Sequence, residues 1–144
     1  MSQERLLRIA RILRVRERLV EQLEVEVARL ARLCIDAANL ERMALEGWTS
    51  ALEVRPNDRW SCADFDQAHS YAATLGLRYE ARVREARQAD LRCAEGRARL
   101  HAARTEVRKI EILRDRISAS HVHDERALER RATDEMAARR GRTA

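Results

Sequence analysis

Five aromatic residues, four glycines and one proline are few for a chain of 144 residues, and each shortage excludes something. Gly and Pro punctuate a globular fold with turns, so a chain this poor in them turns rarely. Such a chain buries a stripe rather than a ball-shaped core. Lysine is nearly missing too: Lys109 stands alone, and every other basic side chain is Arg. No stretch approaches the ~18 uncharged apolar residues of a membrane-spanning helix, so direct insertion into a bilayer is not expected. Cysteine is sparse and odd in number: Cys34, Cys62 and Cys93 lie far apart, with no CxxC spacing and no paired His. Together with a first segment that does not read as a secretory signal, this predicts reduced thiols in a cytosolic protein. The opening Arg-rich amphipathic residues resemble a mitochondrial presequence, but Glu4 and Glu17 are out of place in one and the pattern runs unbroken beyond it.

What remains is abundant. Apolar residues make up 45%, too many for a disordered chain, and charged residues 37%. Dominance of Ala, Glu, Leu and Arg marks long helices or coiled coil. Net charge is +5. It is unevenly spread: residues 1–45 carry +2, residues 46–66 carry −3 and residues 67–144 carry +6.

From Leu6 to Ala51 a seam advances in alternating steps of three and four, and twelve of its fourteen positions are apolar; Arg16 and Glu41 are the exceptions. That is sustained heptad periodicity. Ile12, Leu19, Leu33 and Leu40 lie beside the seam and widen it, as suits packing against more than one surface. A second seam runs from Phe65 to Ile117, apolar at thirteen of sixteen positions. Its small residues between Ala86 and Gly96 complement larger ones on the first arm, which lets two backbones approach closely.

Between the arms, Pro56 stops a helix near Arg55. Asn57-Asp58 supplies turn chemistry, and Ser61 with Asp64 resembles a capping box. One proline, one turn and one new N-cap predict one hairpin. The expected fold is therefore all-α: a long antiparallel two-helix coiled-coil hairpin in a single domain, residues 1–144. Its helix 1 spans about 3–54, its turn about 55–61 and its helix 2 about 62–139. A midpoint near residue 58 makes facing positions total roughly 116, with arms ~75 Å long at the α-helical rise. Residues past about 115 overhang, and Arg139-Arg-Gly-Arg-Thr-Ala should fray.

The sequence offers no Gly-rich phosphate loop. His121 and His123 are two apart, on different helix faces, which argues against a metal site. Carboxylates such as Glu106 and Glu125 have Lys109 and Arg130 near by, the spacing of solvated ion pairs. A cysteine nucleophile needs a base and a pocket, which two helices do not build. No enzyme, cofactor or small-molecule substrate is expected.

Two features stand out. All five aromatics lie between residues 48 and 79, within or beside the acidic segment. Trp48 and Phe65 are expected to plug the turn; Trp60 and Tyr71 fall off the seam and suit a protein-binding hot spot. At the open end, Arg5, Arg8, Arg11, Arg126, Arg130, Arg131, Arg139 and Arg140 read either as a solvated face or as an electrostatic plug for an acidic partner. Nucleic acid is a weaker reading, because acids interleave nearly everywhere.

Over essentially its whole length the chain resembles the FliJ/YscO-like central-stalk proteins of flagellar and type III secretion export. The most specific local piece is Glu129-Arg-Arg-Ala-Thr-Asp134-Glu135-Met-Ala-Ala-Arg139-Arg140, similar to the family's acidic pair followed by small and basic residues. The Pro-Asn-Asp-Arg-Trp tip departs from the flagellar members and leans toward the injectisome branch. The resemblance implies a non-enzymatic stalk at the cytoplasmic face of a membrane-bound secretion complex. Its termini would enter a hexameric secretion ATPase and promote hydrolysis, and its tip would engage the cytoplasmic domain of the export gate. Export chaperones are a further implied partner. Carried over by position, the ATPase end maps to the eight arginines above, and the gate end to Trp48, Trp60, Phe65, His69 and Tyr71. A secretion chaperone or generic coiled-coil adaptor is the alternative, with a basic nucleic-acid-binding rod behind it.

Overall fold

The computed structural model describes residues 2–143. Two helices account for nearly all of them, α1 (Ser2–Leu52) and α2 (Cys62–Thr143), packed against each other as an antiparallel hairpin with no strand among the described residues. α1 stops two residues short of the boundary set by Pro56. Its last helical bond is the Glu53 amide donating to the Thr49 carbonyl at 3.1 Å, and the residue before a proline is steered out of helical geometry. α2 does not fray at Arg139 as expected. It runs on through Gly141, because Ala, Arg, Met and Glu are strong helix formers and Arg140 and Arg142 complement the dipole of the last turn.

The chain divides into two compact units, Gln22–Leu100 and the pair of segments Met1–Glu21 and His101–Ala144. In Gln22–Leu100 the seam residues are the ones removed from water. Leu23, Val27, Leu30, Cys34 and Ala37 on α1 are half-buried, and Ala86, Cys93, Gly96 and Leu100 on α2 are buried. In the other unit Ile9 and Leu13 are buried, and Ala103, Val107, Ile110 and Ile117 are half-buried. The flanking Ile12, Leu19, Leu33 and Leu40 stay exposed.

Register differs from the sequence expectation. Leu30 stands over Gly96, Cys34 bonds Ala89, and Trp48 stacks on Tyr79 and covers Gly76. Facing residues sit about nine positions further along α2 than a turn centred on residue 58 sets, roughly 14 Å at the helical rise. The reason is local fit. A Cβ on Gly96 would meet the Leu30 side chain at 2.8 Å, and one on Gly76 would meet the Trp48 ring at 3.1 Å. Each large α1 side chain thus occupies the space left by a missing one on α2. As a result the first turns of α2 run past the end of α1, and Phe65, expected on the seam, is exposed. At the other end of α2, only His121 and Ala127 of residues 118–143 are even half-buried, which is the expected overhang.

Candidate interaction surfaces

The turn is built by short-range chemistry. The Asn57 side-chain oxygen accepts from the Arg59 amide at 2.9 Å, and the Asn57 carbonyl accepts from the Trp60 amide at 3.0 Å. Ser61 then caps α2. Its hydroxyl oxygen accepts from the Asp64 amide at 3.2 Å, while the Asp64 carboxylate accepts from the Ser61 amide at 2.8 Å. This is a full capping box. The Ser61 amide, and after it the Ser61 hydroxyl, hold the Asp64 carboxyl below its usual range.

Aromatic pairing corrects the expected plug. Trp48 does not meet Phe65; it stacks on Tyr79, centroids 5.6 Å apart at 27°. Phe65 packs edge-to-face with Trp60, centroids 5.4 Å apart at 68°. Trp60 precedes the N-cap and Phe65 is the fourth helical residue, so the two form the hydrophobic staple that accompanies a capping box. The signal was in the sequence, in the spacing of Trp60, Ser61, Asp64 and Phe65, and it gives Trp60 a structural task. Of the five residues named for the tip, Trp48 and Trp60 are half-buried and the other three are exposed. Tyr71 is 60% exposed and Phe65 49% exposed, with exposed His69 beside them. Trp60, Tyr71, Gln67 and Arg59 border a shallow open hollow. Trp48 is half-buried and engaged elsewhere.

In the unit holding both chain ends, Arg5, Arg8, Arg11, Arg126, Arg130, Arg131, Arg139 and Arg140 are all exposed. None of the eight takes part in an ion pair among the described residues. Most ion pairs that do form are short-range contacts within one helix, such as Arg108–Glu111 and Lys109–Glu106. The Lys109 hydrogen bond holds Glu106 below its usual range. Glu125 does not pair with Arg130: it lies 3.5 Å from His121, and Arg130 turns back to donate to the Arg126 carbonyl at 3.2 Å.

Two long helices packed side by side, with exposed aromatics in one unit and exposed arginines in the other, define a helical-hairpin protein. The family described as Flagellar FliJ protein matches residues 5–144, and the chain belongs to that family. Its members are structural proteins of flagellar and type III protein export, acting at the cytoplasmic side of the apparatus. No curated protein and no solved structure matches the chain. Among the described residues no helix is long and apolar enough to cross a membrane.

Proposed function

We propose that this chain, acting as one hairpin domain, is the non-enzymatic central stalk of an export apparatus. It joins the hexameric export ATPase to the export gate and promotes hydrolysis and protein export. Beyond family membership, one observation carries the reading: eight exposed arginines from the two terminal segments have no carboxylate partner among the described residues. Exposed guanidinium groups without an acidic partner are suited to carboxylates on another protein. The gate contact is assigned to Phe65, His69 and Tyr71, with the exposed edge of Trp60. The family match favours the flagellar setting, so deletion should abolish swimming motility. Intact motility with lost effector secretion would instead favour the injectisome branch.

The test uses the purified chain and its cognate ATPase. Wild-type protein is expected to raise turnover, and the triple variant Arg5→Glu, Arg8→Glu, Arg11→Glu to lose most of that effect while melting at the same temperature. The melting point should hold because all three side chains are exposed. Tyr71→Ala should leave stimulation intact and weaken capture of the gate's cytoplasmic domain. A chaperone or adaptor role has its own support in Leu33 and Leu40, exposed along a groove bordered by Asp36, Glu85 and Arg92. A stable complex with a secretion chaperone and indifference to the ATPase would favour that reading.

A further inference from the structure

Two of the three thiols face each other across the seam. Cys34 and Cys93 occupy core positions of opposite helices, one half-buried and the other only 4% exposed. The Cys34 thiol donates to the Ala89 carbonyl at 3.1 Å. In an α-helix that carbonyl is also the acceptor for the amide of the residue four positions on, here Cys93. Helical side chains lean toward the N-terminus, so the Cys93 side chain lies back over the turn that Cys34 already touches. Cys93 lies close enough to influence the Cys34 thiol. Buried Ala86 and Gly96 and half-buried Ala89 on the same stretch of α2 are small, which favours the close backbone approach that a disulfide requires. Cys62 stands apart, exposed at the start of α2.

We propose that Cys34 and Cys93 form a reversible redox latch, closing to a disulfide that ties α1 to α2 when a low-molecular-weight disulfide such as oxidised glutathione accumulates. The half-exposed Cys34 reacts first. Its thiolate attacks one sulfur of the small disulfide, a bond to Cys34 forms, and one small thiolate leaves. Cys93, deprotonated, then attacks the Cys34 sulfur and releases the second small thiol. The two protein thiols lose two electrons and two protons, and the small disulfide becomes two thiols. Burial, and then the neighbouring Cys93 and Asp90, push the Cys34 thiol above its usual range. The first step is therefore slow at neutral pH, so brief exposure to oxidant leaves the latch open.

The experiment uses the full chain carrying Cys62→Ala, which removes the exposed thiol without touching the seam. After incubation with oxidised glutathione, mass spectrometry should show loss of two hydrogens and one linked pair of peptides containing Cys34 and Cys93. The melting temperature should rise on the order of 10 °C, because the bond closes a long loop, and dithiothreitol should restore the starting value. Adding Cys93→Ala should stop the reaction at a single glutathione adduct on Cys34. Separate adducts on both cysteines would overturn the proposal. So would free thiols that persist after Cys62 of the wild-type chain has fully reacted, or a melting point that falls on closure.

Discussion

Glycine plays opposite parts at different residues of this chain, and substitution separates them. Gly47 lies in the interior of α1 with open space around its Cα, whereas Gly76 lies under the Trp48 ring. Alanine exceeds glycine in a helix by about 1 kcal/mol, chiefly through the entropy of the unfolded chain. Gly47→Ala should therefore raise the melting temperature by a few degrees. Gly76→Ala gains the same propensity but sets a methyl 3.1 Å from a rigid indole that is itself stacked on Tyr79. The ring must slide, and the expected result is a smaller gain or a net loss. Circular dichroism melts of both variants decide it; equal gains would mean that Trp48 does not rest on Gly76. Gly96 is a milder case, since the obstructing atom is the free end of the Leu30 side chain.

At the level of elements, helix α2 begins on a cap that depends on a charged carboxylate. Asp64 is held below its ordinary pKa of 3.8 by the Ser61 amide and hydroxyl. A carboxyl with a depressed folded-state pKa contributes stability that is present above the unfolded value and lost as pH falls through the folded one. Wild type should thus melt above Asp64→Asn at neutral pH, and the gap should close as pH drops below about 4. Glu26 and Glu106, lowered first by hydrogen bonds to Arg29 and Lys109, weaken both proteins together and do not affect the difference. A gap that persists in acid would show that the cap does not act through charge. This cap was legible in the sequence, as were both seams, because heptad spacing and S-x-x-D spacing each encode one local geometry. Register was not legible. Pro56 marks where the chain stops being helical, but it says nothing of how many residues of α2 pass before it meets α1. That is fixed by Trp48 finding Gly76 and Leu30 finding Gly96, tertiary fits between residues far apart in sequence. Phe65 was misplaced for the same reason. The eight arginines were visible as basic residues, but only the fold shows them without carboxylate partners among the described residues.

For the molecule as a whole, the sign of the charge and its distribution bear most on how it meets partners. A net +8 outside residues 46–66, against −3 within them, should speed encounter with an acidic partner and make it salt-dependent. Exposed charges are screened over about 8 Å at physiological ionic strength, so most of this attraction acts only near contact. If Arg5, Arg8, Arg11 and the arginines of 126–140 meet the ATPase, the measured association rate should fall steeply between low and moderate salt. The Arg5→Glu, Arg8→Glu, Arg11→Glu variant should bind slowly throughout and respond weakly to salt. Capture of the gate domain through Phe65 and Tyr71 is the contrasting case. Burial of aromatic surface gains rather than loses in strong salt, so that complex should hold while the first one weakens. Surface plasmon resonance across a salt series, run with each partner in turn, compares the two directly. The decisive result is the difference in slope: two contacts with the same salt dependence would mean that arginines and aromatics do not divide the partners between them.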